Sequence, residues 1–220
     1  MGIAKLTILV TVALGASVAS ADKLSDFKDA VAKKGCDSIP YSDYRSSCQS
    51  QQSQVHDWCD GARGPVSCGS ENITRQVKDN LEREKKTVEE LKSKRGKLQD
   101  SKSHASTNDE KNKIDKDIEQ VEKDIYEGGK RVDQAQKDFE TRKKLVEDSI
   151  YNLDKCIDYR RAVMNSFAAA LDKVRNENDT PEIKDLARQL RNRFEEGKPG
   201  HEEQITARNN ALTTCKNSRP

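Results

Sequence analysis

The chain has 220 residues, of which 33% are hydrophobic, 5% aromatic and 35% charged. Globular domains average about 45 to 50% apolar and about 25% charged residues, so a large compact core is excluded. Basic side chains number 40 against 38 acidic ones, and the resulting net charge of +2 excludes a protein drawn to polyanions by bulk charge.

The first feature in chain order is Lys5, followed by an apolar run from Leu6 to about Val18 and by Ala19-Ser20-Ala21. This is the pattern of a cleaved signal peptide over 1–21, and it predicts a secreted or periplasmic protein. The run is too short for a hydrocarbon core of roughly 30 Å and no comparable stretch follows, so no membrane span is expected.

All six cysteines, Cys36, Cys48, Cys59, Cys68, Cys156 and Cys215, lie beyond the signal. An even number in an exported chain points to disulfides. If the stretch from Tyr41 to Trp58 is helical, Cys48 and Cys59 stand about 16 Å apart along it and cannot bond each other. The favoured pairs are then Cys36–Cys48 and Cys59–Cys68, with Cys156–Cys215 as the third. Cys36–Cys68 and Cys36–Cys59 stay open as alternatives.

Residues 22–70 read as a disulfide-rich helical segment. A short helix runs from Asp22 to Gly35, and a second runs from Ser42 to about Asp60, where Gly61 and Gly64-Pro65 turn the chain. Over 71–140 the composition changes to acids and bases in near-equal number without proline. Apolar residues recur there at steps of three and four: Val77, Leu81, Val88, Leu91 and Leu98, then Ile114, Ile118, Val121, Ile125, Val132, Ala135 and Phe139, with Val146 beyond. That spacing predicts an antiparallel coiled-coil hairpin.

Its tip falls near 101–108, where the stripe disappears into small polar residues and Thr107 with Glu110 forms a capping box. With the reversal near His104, Gly128-Gly129 lies opposite Asn80 and Leu81, and a kink is expected at the doublet. One uninterrupted helix dimerising in parallel is the alternative, which leaves a homo-oligomer open. Residues 141–220 form a C-terminal helical segment that packs with 22–70 as a base. Within it Thr180-Pro181-Glu182 starts a helix that Gly197 and Pro199-Gly200 stop, and a last helix runs from about Glu202 to Lys216. The expected fold is all-α, a hairpin projecting from a disulfide-stapled helical bundle.

Chemistry-bearing patterns are sparse. His56, His104 and His201 occupy different segments, and the nearest metal arrangement, His56 with Cys48, Cys59 and Cys68, competes with disulfide formation. No nucleotide-binding loop or nucleophile elbow occurs, so no catalytic residue, metal or cofactor is expected. Lys143-Lys144, Arg160-Arg161 and the Arg188, Arg191, Arg193 group are interleaved with acids and lack stacking aromatics, which argues against a nucleic-acid partner. Asn72-Ile73-Thr74 and Asn178-Asp179-Thr180 match the glycosylation acceptor pattern. Trp58, beside Cys59, is expected to pack over the disulfides.

The functional expectation is an exported, non-enzymatic interaction protein acting as spacer, adhesin or partner-binding module for an unidentified protein. Lys102, His104, Thr107 and Asn108 are its candidate tip contacts. A holdase chaperone with gripping arms is the alternative from a different class, and an enzyme with a pocket among the base helices is a remote one.

Overall fold

A computed structural model describes residues 21–177 and 179–219; the expected signal therefore lies outside the described residues except for Ala21, which is helical. The chain is all-α, with no strand among the described residues. Its elements are α1 (21–32), a 3-10 turn (Gly35–Ser38), α2 (Ser42–Cys59), α3 (Glu71–His104), α4 (Asn108–Arg175) and α5 (Pro181–Asn217). No helix among them is long and apolar enough to cross a membrane.

The residues group into two compact units. One comprises the described residues up to Val66 with Asn152–Ala211, and the other comprises Ser67–Tyr151 with the end of the chain from Leu212. The divisions fall at 66/67, 151/152 and 211/212, whereas composition alone placed boundaries at 70/71 and 140/141.

The first unit buries its apolar side chains in two clusters. α1 contributes Phe27 and Ala30, which pack with Val174 of α4 and with Ile183, Ala187 and Leu190 of α5. Spacings of three and four put these residues on one face of each helix. α2 contributes Cys48, Val55 and Cys59, which pack with Cys36, Ile39, Cys156, Val163 and Ala170, and half-buried Trp58 packs against this cluster. Tyr41 links the two, since it packs on both and its hydroxyl donates to Glu177 Oε2 at 3.1 Å. Burial, followed by the Glu177 carboxylate, pushes its phenol well above the ordinary range.

Cys36–Cys48 forms as the spacing indicates, but the other two pairings differ from the expected ones. Cys59 is bonded to Cys156 and Cys68 to Cys215, and all six cysteines are in disulfides. The expected Cys59–Cys68 bridge requires the chain to turn back on the end of α2. Instead Gly64, at φ 128°, takes a conformation that side chains rarely adopt, and the Pro65 carbonyl accepts from Asn152 Nδ2 at 2.9 Å. The chain thus leaves Cys59 along α4, and Cys59 meets the buried Cys156 one turn away from Asn152.

The expected Cys156–Cys215 bridge is the pair left over by the two local ones and falls with Cys59–Cys68; a break is expected separately at Gly197 and Pro199-Gly200. No break occurs: α5 is continuous, with Pro199 inside it. An interior proline costs about 3 kcal/mol through its missing N–H and its clash with the preceding turn. Burial of Ile183, Ala187 and Leu190 before Pro199, and of Leu212 and Cys215 after it, holds the helix on both sides.

In the second unit α3 and the first part of α4 pack antiparallel. As partners on α3 step back from Lys102 to Val88, Glu84 and Thr74, those on α4 step forward from Asp115 to Gly128, Arg131 and Arg142. Arg142 fixes the open end, with Nε donating to Thr74 Oγ1 at 2.8 Å and Nη2 to Ser70 O at 3.1 Å. Every residue of the apolar stripe is buried or half-buried.

The reversal occupies 105–107, just beyond His104. Ser101 and Ser103 do not end α3, because their hydroxyls donate to Lys97 O and Asp100 O at 2.9 and 2.6 Å. Moving the reversal moves the register, and Gly128-Gly129 lies across from Val88, not Asn80 and Leu81. Nor does the doublet interrupt α4, which is one helix.

A Cβ at Gly128 would sit 2.8 Å from Val88 Cγ2, whereas one at Gly129 would meet nothing within 4 Å. Close approach of a buried, χ1-stiff valine therefore demands glycine only at 128. Gly128→Ala is expected to destabilise the hairpin by about 1 to 3 kcal/mol through overpacking. Gly129→Ala should stabilise it by roughly 0.5 to 1 kcal/mol. Urea unfolding of both variants checks this, and shifts of the same sign would rule out the Val88 contact as the reason for Gly128.

Candidate functional site

The described residues hold one large cavity within the first unit, of about 790 Å³. Small-molecule sites typically measure about 300 to 1,000 Å³. Its walls come from the end of α1 and the following turn, from α4 and from α5. The floor is apolar: Met164, Phe167 and Leu171 project from α4 at helical spacing and meet Phe194 of α5. Phe167 and Phe194 stack edge to face with centroids 5.3 Å apart.

α5 lines the cavity with Arg193, Phe194, Glu195, Lys198 and His201 as well as with Gly197. Gly197 lines it, and added Cβ atoms at Gly197 and Gly200 would meet nothing within 4 Å. Gly197, expected to stop the helix, thus leaves space at one point of the wall.

Polar groups surround this floor. Arg193 Nη1 donates to Val31 O at 2.7 Å and to Lys33 O at 2.9 Å, satisfying carbonyls that the end of α1 leaves orphaned. Arg175 pairs with Glu195 at 2.9 Å and with Asp172 at 3.5 Å. His201 lies with its ring 6.0 Å from that of Phe167. Burial, and then the nearby Arg160, hold its imidazole below the ordinary range, so it is neutral at neutral pH. Arg160 itself bonds Gln204 and is lowered by burial and then by Arg208, with Asp60 opposing.

Three of the four candidate tip contacts make bonds within the hairpin. Lys102 forms an ion pair with Asp115, and His104 Nδ1 lies 2.8 Å from Asp100 O. Thr107 completes the capping box: its Oγ1 accepts from Glu110 N at 3.3 Å, and its own N–H donates to Glu110 Oε2 at 3.2 Å. The Thr107 N–H, followed by the Ser106 N–H that donates to the same oxygen at 3.1 Å, holds the Glu110 carboxyl below the ordinary range. Asn108 is exposed as the first residue of α4. The tip is thus a built reversal whose polar groups face one another.

Cys48, Cys59 and Cys68, the sulfur ligands of the weighed metal arrangement, are all in disulfides, and His56 Nδ1 lies 2.5 Å from Asp60 Oδ2. Among the described residues no group of three or more histidine, cysteine, aspartate or glutamate side chains is placed to hold a metal ion. In the first acceptor sequence Asn72 is exposed, while Thr74 is buried against Arg142. Asn178, of the second, lies outside the described residues.

Met164, Phe167, Leu171 and Phe194 stand at helical spacing that reads equally as an ordinary core stripe, so the sequence alone does not reveal the cavity. No family model, no curated protein and no solved structure matches the chain.

Proposed function

We propose that this chain is an exported, non-enzymatic binding protein, in which the cavity of the first unit holds an apolar ligand and an antiparallel coiled coil over α3 and α4 serves as a spacer. The observation that carries the reading is the cavity: about 790 Å³, floored by Met164, Phe167, Leu171 and Phe194, inside a unit held by two disulfides. Folding cores normally close around such side chains, so a space left over them marks a place for a ligand. Export is supported by the Ala19-Ser20-Ala21 signal pattern, and three disulfides accord with an oxidising compartment. A protein partner for the tip has less support, since its polar groups are spent on the reversal. A holdase has less again, because the hairpin's apolar stripe is buried or half-buried between its own helices.

Titration with Nile red, a neutral apolar fluorophore, tests the reading. The oxidised protein should give saturable enhancement with one site per chain. Ala168→Trp, which places bulk at an exposed lining position, should abolish that enhancement while leaving helicity unchanged. No saturable enhancement in the unsubstituted protein would overturn the proposal.

A further inference from the structure

The large cavity continues into a smaller one of about 460 Å³, because Met164 and Asn165 line both. Lining positions on α4 run from Arg161 to Arg175, about 20 Å of helix. The apolar part of that lining on α4, from Met164 to Leu171, covers about 10 Å and suits an extended alkyl chain, with Ile205 continuing it in the smaller cavity.

Charge is distributed unevenly along it. The smaller cavity is lined by one cation and one acid, Arg161 and Glu202. Around the larger stand Lys33, Lys34, Arg175, Arg193 and Lys198 against only Asp172 and Glu195. Both of those acids pair with Arg175, while Lys198 reaches Glu202 at 3.6 Å and Lys33 reaches Asp29 at 3.7 Å. Arg193 is fixed at the rim by its bonds to α1 carbonyls, and Lys33 and Lys34 follow directly on the end of that helix. The cationic excess therefore sits at one end of an apolar trough, the pattern complementary to a long chain with a single anionic head. A monoanion suits a solvated lysine rim, because a more highly charged head would lose more hydration on entering.

Building on the binding role proposed above, we infer that the trough takes a free long-chain monocarboxylate, with its alkyl chain along α4 and α5 and its carboxylate at Lys33, Lys34 and Arg193.

The experiment is displacement of Nile red from the oxidised protein by hexadecanoate and by hexadecan-1-ol, each below its aggregation concentration, with anionic phospholipid vesicles as a separate arm. At low salt hexadecanoate should displace the probe at a concentration about tenfold below that of the alcohol, as expected for one charge-assisted contact. High salt should shrink the difference. Lys33→Gln/Lys34→Gln, two exposed positions, should remove it without changing the alcohol. Shortening the chain should weaken binding by about fourfold per methylene.

Equal displacement by acid and alcohol would overturn the charged head while leaving the apolar site standing. Probe binding that neither compound displaces would overturn the chain-like ligand. Absence of probe binding would overturn the binding role itself. Binding to vesicles without displacement by free hexadecanoate would assign the rim to a membrane surface and overturn the inference.

Discussion

Replacing Cys59 and Cys156 together by alanine is expected to lower the stability of the first unit by about 4 to 5 kcal/mol, the largest effect of any disulfide confined to that unit. The bridge spans 97 residues, and closing a loop of that size removes about that much chain entropy from the unfolded state. Cys36–Cys48 spans only 12, so Cys36→Ala/Cys48→Ala should cost about 3 kcal/mol. Trp58, the one tryptophan in the sequence, packs against the cluster that holds both bridges, and its fluorescence reports this unit during urea unfolding. The helical signal of α3 and the first part of α4 should survive, because no cysteine lies between Cys68 and Cys156. Equal costs for the two double variants would show that loop closure is not how the bridges stabilise. Detection of six free thiols in the native protein would overturn the framework altogether.

Leu190→Ala should cost about 2 to 5 kcal/mol. Leu190 is 0% exposed and packs among Phe27, Ala30, Val174, Ile183 and Ala187, which are anchored on three different helices. Those neighbours cannot all move into the vacated volume, so truncation adds a cavity term to the lost transfer energy. Ile73→Ala provides the contrast: Ile73 is 46% exposed, and its truncation should change stability by no more than about 0.5 kcal/mol. A loss at Leu190 as small as that at Ile73 would mean that the α1, α4 and α5 cluster contributes little to folding.

Local features were legible in the sequence because local physics decides them. The stripe from Val77 to Val146 reads correctly as the covered face of long helices, since a period of three and four in a long charged segment marks one side of a helix. Thr107 and Glu110 read correctly because both halves of a capping box lie within one turn. Pro199 did not, since whether a helix survives an interior proline depends on what it buries on either side, and those partners lie on other helices. The same blindness misplaced Cys59, Cys68, Cys156 and Cys215, whose pairing follows from where α2 and α5 lead. Gly128 was legible only as a weakness, because its partner, Val88, is forty residues away in the chain. For the cavity, Met164, Phe167 and Leu171 signal an apolar face, but the residues that complete its lining, at the end of α1 and from Arg193 to His201 of α5, lie far away in the chain.

The disulfide pattern bears on how the chain is made. A polypeptide delivered from its N-terminus presents Cys59 with Cys68 after a short turn, long before Cys156 emerges, and neighbouring thiols in an oxidising milieu join readily. Cys68 in turn must await Cys215, 147 residues later and near the end of the chain. Only Cys36–Cys48 can close early and correctly. Prompt oxidation would thus capture Cys59–Cys68, a bond absent from the native protein, and the remaining thiolates would have to exchange it away once α4 arrives. Yield of the native protein should accordingly depend on a compartment that reshuffles disulfides as well as one that forms them.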